Sequence, residues 1–155
     1  MKKNQKGFSL IELLIVVAII LIIAAIAIPN LLRSRMAANE ASSVGSLRTV
    51  NTASVTYSST YPSSGYPATL KALGTSGAAT SASADLIDSV LASGTKSGYT
   101  FTFTGDGNTP STGYSIVAKA VNQGTSGQRS FFTDQSGVIR WDPAAGAASS
   151  SSPLQ

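Results

Sequence analysis

Residues 6–29 read KGFSLIELLIVVAIILIIAAIAIP and form the most apolar stretch of the 155-residue chain. From Phe8 to Ile28, 19 of 21 residues are apolar, and the two exceptions are Ser9 and Glu12. At 1.5 Å per residue a helix of this length spans roughly 31 Å, which matches a hydrocarbon core of about 30 Å. The stretch therefore predicts a helix that can cross a membrane.

Three lysines, Lys2, Lys3 and Lys6, precede this run. By the positive-inside rule they keep the N-terminus in the cytoplasm and place the chain after Pro29 outside. The formal net charge is +4, but the residues after Lys6 carry eight basic and seven acidic groups, a net +1. Nucleic acid is therefore not favoured as a partner.

The composition excludes several kinds of enzyme. The chain has no Cys and no His, which rules out a thiolate nucleophile, a Ser-His-Asp triad and an imidazole or cysteine metal site. Asp106 and Asn108 lie in a glycine-rich turn, but one acid and one amide are too few ligands for calcium. We therefore expect no catalytic residues, no cofactor and no metal.

Glu12 separates the possible interpretations of the apolar run. A secretory signal peptide has a shorter apolar core, and a plain single-span anchor gives no reason for a carboxylate inside the span. Such a group is costly in a membrane and needs a partner, yet no Lys or Arg lies within the span. The partner must be a chain terminus or another molecule. Alternatively, Glu12 extends to the membrane interface.

The sequence Lys6-Gly7-Phe8-Ser9-Leu10-Ile11-Glu12, followed by an apolar run that ends at Pro29, resembles the N-terminal signature of type IV pilins and related pseudopilins. The resemblance covers residues 1 to about 35. It implies that a prepilin peptidase cleaves between Gly7 and Phe8, and that the new Phe8 amine is N-methylated. It also implies an inner-membrane precursor that assembly machinery polymerises with identical subunits into a surface filament.

In such a filament, we expect Glu12 of one subunit to pair with the Phe8 amine of its neighbour, because an unpaired charge in a dry core is severely unfavourable. Pro29 lacks an N–H, so we expect a kink or loosening of the helix there. The alternatives are a type II secretion pseudopilin, a minor or DNA-uptake pilin, and, from another class, a single-span envelope enzyme.

The remaining chain predicts an α+β fold in which a long N-terminal helix, about residues 8–57, packs on an antiparallel meander of about four strands. Val44, Leu47 and Val50 lie on an apolar helical stripe, and residues 99–104 alternate aromatic and threonine side chains. The predicted segments are a leader (1–7), a transmembrane and polymerisation helix (8–28), an amphipathic helix half (29–57), a helix-to-sheet loop (58–97), the sheet (98–141) and a flexible tail (142–155).

Overall fold

The computed structural model describes residues 7–75, 77–144 and 146–154. Helix α1 covers Leu10–Thr60 and continues through Pro29. The chain divides into two compact units, Met1–Ser34 and Arg35–Gln155. The first is called the N-terminal unit and the second the head unit.

The N-terminal unit consists, in its described part, of residues 7–9 and the first half of α1. The residues here are dominated by Leu, Ile, Val and Ala, which have no polar group that could compete with the backbone for hydrogen bonds. A continuous helix satisfies the interior backbone groups within the segment itself, except at Pro29, as an apolar environment requires.

The head unit contains the second half of α1 and all the β-structure of the described chain. After α1 come a 3₁₀ helix at Leu70–Leu73 and a short helix α2 at Ser89–Ala92. The strands are β1 (Thr95–Lys96), β2 (Tyr99–Gly105), β3 (Tyr114–Ala120), β4 (Ser130–Asp134), β5 (Arg140–Asp142) and β6 (Ser152–Pro153).

The six strands form one antiparallel meander in chain order, with Phe101 opposite Ala118 and Val117 opposite Phe132. The predicted α+β class is confirmed, but the predicted count of about four strands is wrong. The two additional strands, β1 and β6, are two residues each, too short for an alternating pattern to be visible. β6 lies in the segment for which composition predicts a flexible tail.

The core of the head unit lies between α1 and one face of this sheet. Leu47 and Val50 are fully buried, and Val44 is partly buried against the same cluster. On β2, Tyr99 and Phe101 are buried while the intervening threonine is exposed, as the period of two predicts. The aromatic face of the sheet therefore covers the apolar stripe of the helix, in agreement with the sequence pattern.

One charged contact also fastens the helix to the loop before β4. The Glu40 Oε1 atom accepts the backbone N–H groups of Gln128 and Arg129 at 2.8 and 3.1 Å. Its Oε2 atom lies 2.7 Å from the Arg129 Nε atom. Burial alone would raise the pKa of the Glu40 carboxyl, but these three hydrogen bonds and the guanidinium charge together hold the pKa below its usual value.

Candidate assembly site

The N-terminal unit exposes an unusually large apolar surface. Every large apolar side chain from Phe8 to Leu32 is exposed, and Phe8 itself is 86% accessible. A window of 18 residues within α1 is long and apolar enough to cross a membrane, and none of it is buried. Exposed apolar patches of this extent are rare on monomeric soluble proteins. We therefore expect lipid or another protein to cover this surface.

Glu12 is the single acidic residue of this surface, and the structure shows what it contacts within its own chain. Its Oε2 atom accepts the backbone N–H of Ser9 at 2.8 Å, while the Leu13 N–H bonds to the Ser9 carbonyl. Ser9 precedes the first helical residue, so Glu12 occupies the third helical position. This is one half of a capping box, in which the acid satisfies a backbone donor at the start of the helix.

This intrachain role of Glu12 was not predicted from the sequence. The signal was present in the spacing Ser9-x-x-Glu12 ahead of an apolar run, which is typical of a helix start. A carboxylate at the first turn also interacts favourably with the positive end of the helix dipole. The capping contact uses Oε2, and within the described residues no hydrogen bond engages Oε1.

Gly7 and Phe8 precede α1, and both are exposed. A peptide bond at this position is therefore accessible, as a cleavage site requires. Residues 1–6, with the three leader lysines, lie outside the described residues. The structure holds one chain, so the pairing of Glu12 with Phe8 of a neighbouring copy stays a prediction.

Pro29 lies inside α1 rather than at its end. Its missing N–H leaves the Ala25 carbonyl without its usual helical donor, because that bond joins residue i to residue i−4. The helix nevertheless continues on both sides of the proline. The predicted kink or loosening at Pro29 stays a prediction.

The glycine-rich turn after β2, which has too few ligands for calcium, is organised around Asp106. The Ser111 hydroxyl and the Thr112 hydroxyl donate to its carboxylate at 2.7 Å, and the Gly113 backbone N–H donates at 3.0 Å. These hydroxyl contacts hold the pKa of the Asp106 carboxyl well below its usual value. The carboxylate thus closes its own turn. Among the described residues, no group of three or more acidic side chains is placed to hold a metal ion.

Comparison with known proteins gives a family-model match and a similar curated protein. Residues 2–28 match the family model described as the prokaryotic N-terminal methylation motif. The type IV wide pilus major component PilA4 of Thermus thermophilus is 66% identical over 38 residues. That alignment covers 24% of this chain and 29% of that protein, so the match spans less than a third of the relative's length. Comparison with solved structures gives no significant match.

Proposed function

We propose that this chain, whose family-model match and curated relative support a type IV pilin, is a structural subunit of a type IV pilus. One observation carries the proposal: from Leu10 onward, the segment that matches the methylation motif is a helix whose large apolar side chains are all exposed. In a precursor, lipid covers this surface in the inner membrane. In a filament, the same surface is covered by other copies of the helix.

The first step of the proposed function is proteolytic processing. A prepilin peptidase cleaves the bond between Gly7 and Phe8, and methylation of the new α-amine follows. Cleavage removes Lys2, Lys3 and Lys6, which are the side-chain cations that hold the N-terminus on the cytoplasmic face. The processed helix is then free to leave the membrane in the outward direction when the assembly machinery extracts it.

The second step is polymerisation, in which Glu12 sets the position of each incoming subunit. Cleavage creates a cationic amine at Phe8, four residues before Glu12. The capping contact to Ser9 orients the Glu12 carboxylate through Oε2, and Oε1 remains to accept the amine of a neighbouring copy. Both charges are then satisfied in an apolar environment, where either one alone would cost several kcal/mol, about the penalty of an unpaired buried ion.

The filament in this proposal has its apolar helices inside and its head units outside. The exposed surface of the head unit is poor in charge and rich in serine and threonine, a composition that keeps it hydrated. A loosened helix at Pro29 allows adjacent helices to pack closely. The role of such a filament is adhesion, surface attachment or twitching motility, and the proposed role of the chain is structural rather than catalytic.

A pseudopilin of type II secretion is the second candidate, because it shares the N-terminal signature on which the proposal rests. The test is the location of the polymer. We expect electron microscopy of cells labelled with an antibody to the head unit to show long surface fibres, and deletion of the gene to remove them. Periplasmic labelling with lost exoprotein secretion on deletion would instead establish the pseudopilin.

A further inference from the structure

One exposed face of α1 in the head unit has a surface chemistry suited to burial. The exposed residues of α1 between Arg48 and Thr60 recur three and four positions apart, so they lie along one side of the helix. From Thr49 to Thr60 the helix contains no charged residue, and the cation Arg48 stands at the N-terminal end of the face. We call this surface the threonine face; it consists of Arg48, Thr49, Thr52, Val55, Thr56, Ser59 and Thr60.

The hydroxyl groups of this face donate their hydrogens to backbone carbonyls of the same helix. Thr52 donates to the Arg48 carbonyl at 3.1 Å, and Thr56 donates to the Thr52 carbonyl at 3.0 Å. The hydroxyls of Thr49, Ser59 and Thr60 donate in the same way to carbonyls four residues earlier. Apart from Arg48, the face therefore presents methyl groups and oxygen lone pairs, and its hydroxyl groups can leave water without stranding a donor.

A shallow groove of about 380 Å³ runs along this face. Leu86, from the segment before α2, and the buried Ala53 contribute to its lining. Arg48, Thr49, Thr52 and Thr56 complete the lining, so the groove contains a single charge. A matching surface must be poor in charge, must supply hydrogen-bond donors and must carry one acid at its edge.

The C-terminal part of the same chain meets these three requirements. Asp142 is followed by no charged residue in 143–155. Gly146, Ala148 and Pro153 are small or rigid and exposed. The hydroxyls of Ser149, Ser150 and Ser152 make no hydrogen bond within the described residues, so they are available to donate to the oxygen lone pairs of the threonine face. Together with Asp142 these six residues are called the C-terminal surface.

We propose that the threonine face of one copy packs against the C-terminal surface of the next copy, with Arg48 facing Asp142. This proposal rests on the proposed function, because the filament supplies the second copy. The two surfaces differ, so the contact is heterologous, and a heterologous contact that does not close into a ring propagates as a fibre. It joins head to head and is separate from the contact between N-terminal helices.

Charge reversal tests the proposed pair in fibres of the full chain. We expect Arg48→Asp and Asp142→Arg each to lower the yield of sheared fibres by about fivefold or more, since a weak attraction becomes a repulsion at every interface. The double variant should recover to within about twofold of wild type. Lys119→Asp, which reverses an exposed cation on β3, is the matched control and should leave the yield unchanged.

Asp142→Arg also removes a local contact, because the Asp142 Oδ1 atom accepts the Ala144 N–H at 2.8 Å. A second variant therefore separates the loss of charge from the loss of this hydrogen bond. Asp142→Asn keeps an oxygen for that contact and removes the charge, so it should lower the yield less than Asp142→Arg does. Unfolding curves of the detergent-solubilised Arg48→Asp, Asp142→Asn and Lys119→Asp chains should superimpose on that of wild type.

Cysteine cross-linking tests the packing directly, because the natural chain contains no cysteine. Cells that co-express a Thr52→Cys copy and a Ser150→Cys copy should give fibres that oxidise to a disulfide-linked heterodimer. Fibres with Lys119→Cys in place of Thr52→Cys should give none. Suppose that the wild-type chain forms fibres, but the charge reversals have no effect on yield and no heterodimer forms. That result would overturn this inference and leave the proposed function intact. A wild-type chain that forms no fibre at all would overturn the proposed function and the inference with it.

Discussion

The Oε2 atom of Glu12 lies 2.8 Å from the backbone nitrogen of Ser9, so the acid that the membrane or filament must accommodate also caps the helix that carries it. Two roles are therefore combined in one side chain. The capping role belongs to the single chain, and the pairing role proposed here needs a second copy. A substitution that removes the charge but keeps an acceptor oxygen can distinguish the capping role from the pairing role.

Glu12→Gln keeps an oxygen that can accept the Ser9 N–H but removes the charge, whereas Glu12→Ala removes both. We expect both variants to lose nearly all fibres, because the Phe8 amine of the neighbour is left unpaired in an apolar environment. Loss of the favourable position of the acid in the first helical turn alone costs only about 0.3–1 kcal/mol. Fibre yield and length by shearing and electron microscopy provide the measurement. Wild-type fibres from Glu12→Ala would refute the pairing.

Glu40→Ala should destabilise the head unit by about 2 kcal/mol, because it leaves the Gln128 and Arg129 donors without their acceptor. The Arg129 side chain is 40% exposed, so water screens the ion pair and the figure is lower than for a fully buried pair. Urea unfolding of the detergent-solubilised chain, followed by the fluorescence of Trp141, measures it. Lys119→Ala, at an exposed position on β3, is the control and should change the unfolding midpoint little.

The same contact predicts the acid sensitivity of the fold. Because the Glu40 pKa is lower in the folded chain than in the unfolded chain, the contribution of this contact to stability is fully present above the unfolded pKa of about 4.5. It is lost as the pH falls from there through the folded pKa. Glu40→Gln should therefore flatten the decline of unfolding free energy in acid. An unchanged pH dependence in that variant would show that other carboxyl groups dominate.

Two glycines predict opposite effects of the same substitution. At Gly45, on the exposed side of α1, an added methyl group meets no atom within 4 Å. Gly45→Ala should thus stabilise the helix by about 0.5–1 kcal/mol. At Gly127 an added Cβ would lie 2.1 Å from the Tyr99 hydroxyl, which is held by a hydrogen bond to the Arg129 carbonyl.

Gly127→Ala should accordingly destabilise the head unit by about 1–3 kcal/mol, the usual cost of overpacking. Thermal unfolding of the two variants beside wild type gives the sign of each effect. Equal melting temperatures for all three chains would contradict both predictions.

The sequence was most informative where a pattern repeats. The apolar run of α1 and the alternation along β2 each follow a clear period, and the predicted helix, about residues 8–57, is close to the observed Leu10–Thr60. The two-residue strands β1 and β6 depend on pairing with a longer neighbour and leave no periodic signal. The contact between Glu40 and Arg129 joins residues 89 apart, so only the folded chain reveals it.

In the candidate site, too, some residues could be predicted from the sequence and others could not. Gly7, Phe8 and Glu12 were predicted from a short motif whose spacing is visible in the sequence. The contact between Ser9 and Glu12 could have been predicted from the spacing of a capping box. By contrast, the threonine face could not, because a run of hydroxyl residues does not reveal whether their hydrogens bond to water or to the helix.

The most direct test of the central proposal is intact-mass spectrometry with N-terminal fragmentation of fibres sheared from the cell surface. We predict a chain that begins at Phe8 and carries one methyl group on its α-amine, with this chain as the main component of the fibres. A chain that retains residues 1–7, or its absence from sheared fibres, would contradict the account.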